Sequence, residues 1–213
     1  NGGQFTGTFE NCTSLETVAL PSTLENIGDW AFDGCTSLRE INLSEGVRVV
    51  GNYAFCRCES MTEADLTGVK SIGDRAFDGC KALVKADLTG AESIGDGSFY
   101  GCAVLENVVL QDGLEKIGDS AFYDTCLKTV RIPDTVSEMG SGVFGGTTKN
   151  SLAELKWPAG VPVIPYGYFN ECTAIKKVEI PEGVTQIENG GQFTGTFENC
   201  TSLETVALPS TLE

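Results

Sequence analysis

The stretch IGDWAFDGCTSLREINL, residues 27–43, returns as VGNYAFCRCESMTEADL at 50–66, IGDRAFDGCKALVKADL at 72–88 and IGDGSFYGCAVLENVVL at 94–110. Further copies open at Ile117, Met139 and Ile164, and an eighth start falls at Ile187. The spacing stays near 22 or 23 residues, so the chain is a tandem array, and a period of this length marks a stacked architecture. Within each unit an apolar opener is followed by Gly-Asp, a small residue, Phe, and Cys three later. An apolar-x-apolar segment closes the unit. That last segment, Ile41-Asn42-Leu43 in the first copy and Ala64-Asp65-Leu66 in the second, alternates with period two and reads as a short half-buried strand. Gly and Asp favour a turn, and the Asp carboxylate is placed to cap a short helical or 3₁₀ segment.

A unit this short cannot bury its own apolar face, whereas stacking sets each Phe, Cys and Leu above its equivalent at about 4.8 Å. The expected fold is therefore an α/β repeat. It is a right-handed solenoid of about nine coils, roughly 40 Å long, with short parallel strands and short helical or 3₁₀ turns. No coil has room for a helix of 10–15 residues, which rules out a doubly wound domain. Two coils depart from the pattern: one residue is lost at Tyr123–Cys126, and two are gained around Thr147–Asn150. These coils are expected to bulge without breaking the stack.

The pattern IGDxAFxxCxSLxxIxLPxxLxxI resembles the BspA-like leucine-rich-repeat family, and the likeness runs over essentially the whole chain. It implies an extracellular or cell-surface location and a role in adhesion or protein binding. It brings no catalytic residues.

A second period is longer. Residues 1–25, NGGQFTGTFENCTSLETVALPSTLE, recur without change at 189–213, an offset of 188 residues. The chain then reads as one eight-coil module plus the first 25 residues of the next copy. A natural array of near-identical modules is favoured over an engineered concatenation. The start at Asn1-Gly2-Gly3, with neither Met nor signal peptide, leads to the expectation of a piece of something longer. Neither end carries a polar cap, so the partner expected at each is a neighbouring copy, joined covalently or stacked in a filament.

Acidic residues outnumber basic ones 30 to 14, a formal charge of -16. Such a surface repels phosphate backbones and anionic headgroups, and no apolar run is long enough to cross a bilayer. Neither nucleic acid nor direct membrane insertion is expected. Histidine is absent, which removes the commonest general base and metal ligand together. The expectation is a protein that is not an enzyme and takes no cofactor.

Nine cysteines lie at 12, 35, 56, 58, 80, 102, 126, 172 and 200, and all but Cys56 share one place in the coil. A column of that kind reads as core packing with free thiols, since parallel Cβ vectors suit a disulfide poorly. Cys56-Arg57-Cys58 is the one close pair, too little for a metal site. The Gly-Asp column (Asp29, Asn52, Asp74, Asp96, Asp119) presents carboxylates to Ca²⁺ in principle, yet each has a turn to serve. Pairs such as Asp29 with Asp33 repeat with the coil, whereas an active site is singular. No metal site is expected.

The outward strand positions form the expected concave binding face. Its middle column contains Asn42, Asp65, Asp87, Arg131, Lys156 and Glu179, acidic at first and basic later, for a protein or glycan ligand. Glycosylation sequons start at Asn11, Asn42 and Asn199.

Overall fold

The computed structural model describes residues 7–43, 46–146, 152–169, 172–188 and 195–212. The chain winds as a parallel-strand solenoid whose coils place short strands on two faces. The first face carries Glu40–Asn42, Glu63–Asp65, Lys85–Asp87 and Asn107–Val109 in one sheet, then Glu154–Lys156, Lys177–Glu179 and Thr205–Ala207 in another. The second face carries two-residue strands running from Asn26–Ile27 to Glu138–Met139, and a separate pair at Val163–Ile164 and Gln186–Ile187. Register follows the repeat: Ile41 pairs with Ala64, Ala64 with Ala86, and Ala86 with Val108. Where the spacing counts about nine coils, seven contribute a three-residue strand among the described residues.

The core is a set of columns. Phe9, Phe32, Phe55, Phe77, Phe99 and Phe122 lie ring over ring with centroids 5.1–5.4 Å apart. Phe144 continues the pile at 5.9 Å. Beyond it the packing turns edge-on: Tyr168 meets Phe144 at 6.4 Å and Trp157 at 4.6 Å. Stacking resumes between Phe169 and Phe197 at 4.9 Å. Four of these rings, Phe55 to Phe122, have no exposed surface at all, so each contributes its whole area to the dry column.

The expected helical turns are absent: among the described residues no helix of any kind occurs. The reason is visible in the hydrogen bonds of 28–35. Trp30, Phe32 and Gly34 send their N–H groups across to Asn52, Ala54 and Cys56 of the next coil, at 2.8 Å each. The residues between them bond within the coil, three back: Ala31 to Gly28, Asp33 to Trp30 and Cys35 to Phe32. A helix would keep every N–H in its own coil, and here every second one is given to a neighbour. Left-handed backbone makes this possible, with Trp30 at φ 54° and Gly34 at φ 72° as the third residues of the turns 28–31 and 32–35. The α/β description therefore gives way to an all-β solenoid.

One of the two irregular coils also differs from expectation. After the lost residue, the first-face ladder shrinks to a single bridge between Asn107 and Thr129, and the next sheet begins only at Glu154. The aromatic column passes through unbroken while the strand ladder does not. The gained residues, 147–150, lie outside the described residues.

Candidate functional site

Two surfaces hold the chain's chemistry: the turn edge bearing Asp and Cys, and the outward face of the three-residue strands.

On the turn edge the Gly-Asp column forms a ladder between coils. Asp29 Oδ1 accepts the N–H of Asn52 at 2.7 Å, Asn52 Oδ1 that of Asp74 at 2.8 Å, and Asp74 Oδ1 that of Asp96 at 2.9 Å. Asp96 and Asp119 continue it to Asp119 and Ser141 at 2.8 and 2.6 Å. The carboxylate thus caps the coil above, and the expected cap on its own coil is corrected. From the second coil on, Gly stands at this position because the coils meet too closely for a side chain: a Cβ on Gly95 would stand 2.6 Å from Asp74 Oδ1 and 2.7 Å from its backbone N, whereas one on Gly28 would meet nothing.

The thiols form a parallel ladder. Cys58, Cys80 and Cys102 donate to the carbonyls of Phe32, Phe55 and Phe77, one coil back, at 3.2–3.3 Å. Cys35, Cys172 and Cys200 do the same toward Phe9, Phe144 and Phe169. All nine cysteines are free thiols. Burial, foremost among the causes, raises the pKa of Cys35, Cys58, Cys80, Cys102 and Cys200 above the ordinary value. Burial also lifts Cys56 to about 12, reinforced by the charges of Asp33 and Asp78. Such groups are thiols and not thiolates, the inert form. Next to Cys56, the buried Asp33 is gripped by Arg57 through bonds of 3.1 and 2.6 Å.

The outward strand column assembles as its alternation dictates. Asn42, Asp65, Asp87 and Val109 are successive register partners, as are Lys156, Glu179 and Ala207. Asn42, Asp65, Arg131, Lys156 and Glu179 are exposed and Asp87 is half-buried. Glu40 and Glu63 pair beside them, so the early strip sets carboxylates side by side before Lys85 interrupts. Shallow open depressions run along it, lined by Glu40, Asn42, Glu63 and Asp65, then by Thr67, Lys85 and Asp87. Two of these carboxylates have local work: Asp65 accepts the N–H and hydroxyl of Thr67, and Asp87 those of Thr89. The basic half is less continuous. Among the described residues no strand pairing joins Arg131 to Lys156, and Lys156 Nζ stands 3.8 Å from Asp134.

Asn11 and Asn199 are exposed and hold left-handed backbone, φ 57° and 60°. Ser44, which completes the sequon at Asn42, lies outside the described residues.

The comparisons with known proteins fit this geometry. The family description "BspA type Leucine rich repeat region" matches residues 6–91 and 92–213, in six copies. A leucine-rich repeat protein from Bacteroides ovatus, of known crystal structure, is 25% identical with a TM-score of 0.66. The alignment covers 96% of this chain and 70% of that one. A leucine-rich repeat protein of T. pallidum is 27% identical with a TM-score of 0.69, over 84% of this chain and 82% of its own. No curated protein matches the sequence.

Proposed function

Because the chain belongs to the BspA-type leucine-rich-repeat family, we propose that it is a non-enzymatic scaffold of the cell surface, a regular adhesive body that continues end to end through further copies of its own module. One observation carries this reading. The sequence shared by 7–24 and 195–212 packs through opposite faces in its two settings: Phe9 lies against the following coil at Phe32, and Phe197 against the preceding coil at Phe169. A unit built to be covered on both sides is an interior unit of an array. The chemistry of the surface agrees with a scaffold. The Gly-Asp carboxylates cap neighbouring coils and the buried thiols stay protonated, so neither set is prepared for acid–base or nucleophilic work.

Electron microscopy of native source material tests the reading. An axial repeat of eight coils, about 40 Å at the strand spacing, is expected. Bodies with no axial periodicity would overturn it.

A second reading is recognition of a protein or glycan through the outward strand column. It is favoured by the run Glu40, Glu63, Asp65 and Asp87, which offers a basic ligand four carboxylates on adjacent strands. Charge reversal at Glu40 and Glu63 would abolish capture of such a ligand if this face binds it, and leave capture intact if it does not.

A further inference from the structure

Along the second face, coils bond back to the coil before them through two N–H groups. Those of Lys70 and Gly73 reach the carbonyls of Arg48 and Val50 at 2.8 Å, and those of Ser137 and Gly140 reach Glu115 and Ile117 at 3.0 and 2.8 Å. In the following coil these two places hold Pro162 and Pro165, which have no N–H to give. The strand Val163–Ile164 pairs forward with Gln186–Ile187 and, among the described residues, not back with Glu138–Met139. The first face is open at the same boundary, between Arg131 and Lys156. Among the described residues no backbone hydrogen bond links 7–146 to 152–212.

The filling of the core changes at this boundary too. A column of small residues, Ala54, Ala76, Ser98 and Ala121, grows to Val143 and then to Tyr168. The column of Leu66, Leu88 and Leu110 passes through Ile132 to Trp157. Tyr168 and Trp157 are fully buried and meet edge to face at 4.6 Å. A depression lined by Ile117, Met139, Val161, Pro162 and Val163 lies over the gap on the second face.

The hydrogen bonds and ion pairs that do cross come from side chains. Tyr168 directs its hydroxyl to the Met139 sulfur at 3.8 Å, and Cys172 its thiol to the Phe144 carbonyl at 3.4 Å. Asp134 makes two contacts: Oδ1 accepts the Ala159 N–H at 3.1 Å, and Oδ2 stands 3.8 Å from Lys156 Nζ.

We propose that the solenoid is jointed here. The coils before and after the boundary open as separate cooperative units, and Asp134 is the clasp between them. Cooperativity in a solenoid is carried by the contacts of adjacent coils, and this boundary lacks both strand ladders. Two prolines in register write the gap into the sequence. A joint confines bending to one place in an otherwise regular body.

Hydrogen exchange of the full chain, read residue by residue by NMR in rising sub-denaturing urea, tests this. The amides of Gly95, Gly118 and Gly140 are expected to merge into one opening reaction, and those of Trp157 and Thr185 into another. One opening shared by all five, or protection graded evenly from coil to coil, overturns the joint. Two adjacent variants locate it. Thr135 Oγ1 accepts the Gly113 N–H and donates to the Leu114 carbonyl, at 3.2 and 2.8 Å, so its bonds lie wholly before the boundary. Thr135→Ala is expected to lower protection of the first group at least threefold and to leave the second within twofold. Asp134→Ala is expected to lower both groups at least threefold, because the clasp breaks whichever unit opens. A Thr135→Ala loss of equal size in both groups overturns the joint. An Asp134→Ala chain with Trp157 and Thr185 protected as in the parent overturns the clasp.

Discussion

Asn52 receives at its backbone N–H what it gives through its side chain: Asp29 Oδ1 accepts its proton at 2.7 Å, and its own Oδ1 accepts that of Asp74 at 2.8 Å. An amide thus performs in one coil what a carboxylate performs in the others. The ladder needs an acceptor oxygen at each rung, and no charge.

Asp74→Asn is therefore expected to leave stability within about 0.5 kcal/mol of the parent. Asp74→Ala, which orphans the N–H of Asp96, should cost about 1 kcal/mol. Denaturant unfolding of the two variants beside the parent checks this. Equal losses in both would mean that charge holds the rung.

Phe77 touches Phe55 below and Phe99 above, each at 5.2–5.3 Å, with no surface of its own exposed. Phe77→Ala opens a void in the middle of the column and is expected to destabilise by roughly 3–5 kcal/mol. Phe9→Ala, at a half-uncovered ring, should cost well under half as much. Thermal unfolding ranks the two, and a reversed order contradicts the column.

Asp33 is buried, while Arg57, which grips it, is more than half exposed. The pair lies between a surface bridge, worth under about 1 kcal/mol, and a buried one, whose breaking costs about 3–5. Arg57→Ala is expected to cost about 1–2 kcal/mol on this scale. Adding Asp33→Ala should recover part of the loss by removing the stranded carboxylate. A double variant less stable than Arg57→Ala alone would show that Asp33 has a second role.

The buried thiols make stability fall in alkali. Unfolded thiols ionise from about pH 9, whereas in the fold Cys56 holds its proton to about 12 and Cys58, Cys80 and Cys102 are raised as well. In that window the folded state binds more protons than the unfolded one, so stability declines as pH rises. Each such thiol adds up to about 1.4 kcal/mol per pH unit to the slope. Melting curves from pH 8 to 10 under reducing conditions should show the decline, and Cys80→Ala should make it shallower by one thiol's share. An unchanged slope in that variant would show that ionisation elsewhere drives the loss.

Much of this molecule is written in its period. A spacing of 22 or 23 residues sets like over like, so the Phe and Cys columns, the strand register and the free thiols followed from alignment of the chain with itself. The turn did not. A Gly-Asp before a short run of small and aromatic residues has the same look whether the Asp caps its own coil or the next. The signal was there in another column: Gly97 and Gly142 share a position with Trp30, Tyr53, Arg75 and Ser120, all at positive φ. A place that accepts both glycine and tryptophan is a place set by the backbone, and left-handed backbone ends a helix before it starts. The outward strip was legible as columns up to Val109. Beyond it the residue lost before Leu127 leaves the coil one short, and the shortfall falls on its strand face, so the neighbours of Arg131 depended on where that shortfall went.

Because, among the described residues, each coil is tied by hydrogen bonds only to the coils beside it, tension applied along the chain has no distant contact to oppose it. Pulled from its ends, the solenoid should come apart as a zipper does, one coil peeling before the next is loaded. Each step would release about 22 residues, roughly 70 Å of slack at full extension. For a body anchored between two surfaces this is a shock absorber, yielding in small increments where a single packed core would fail at once.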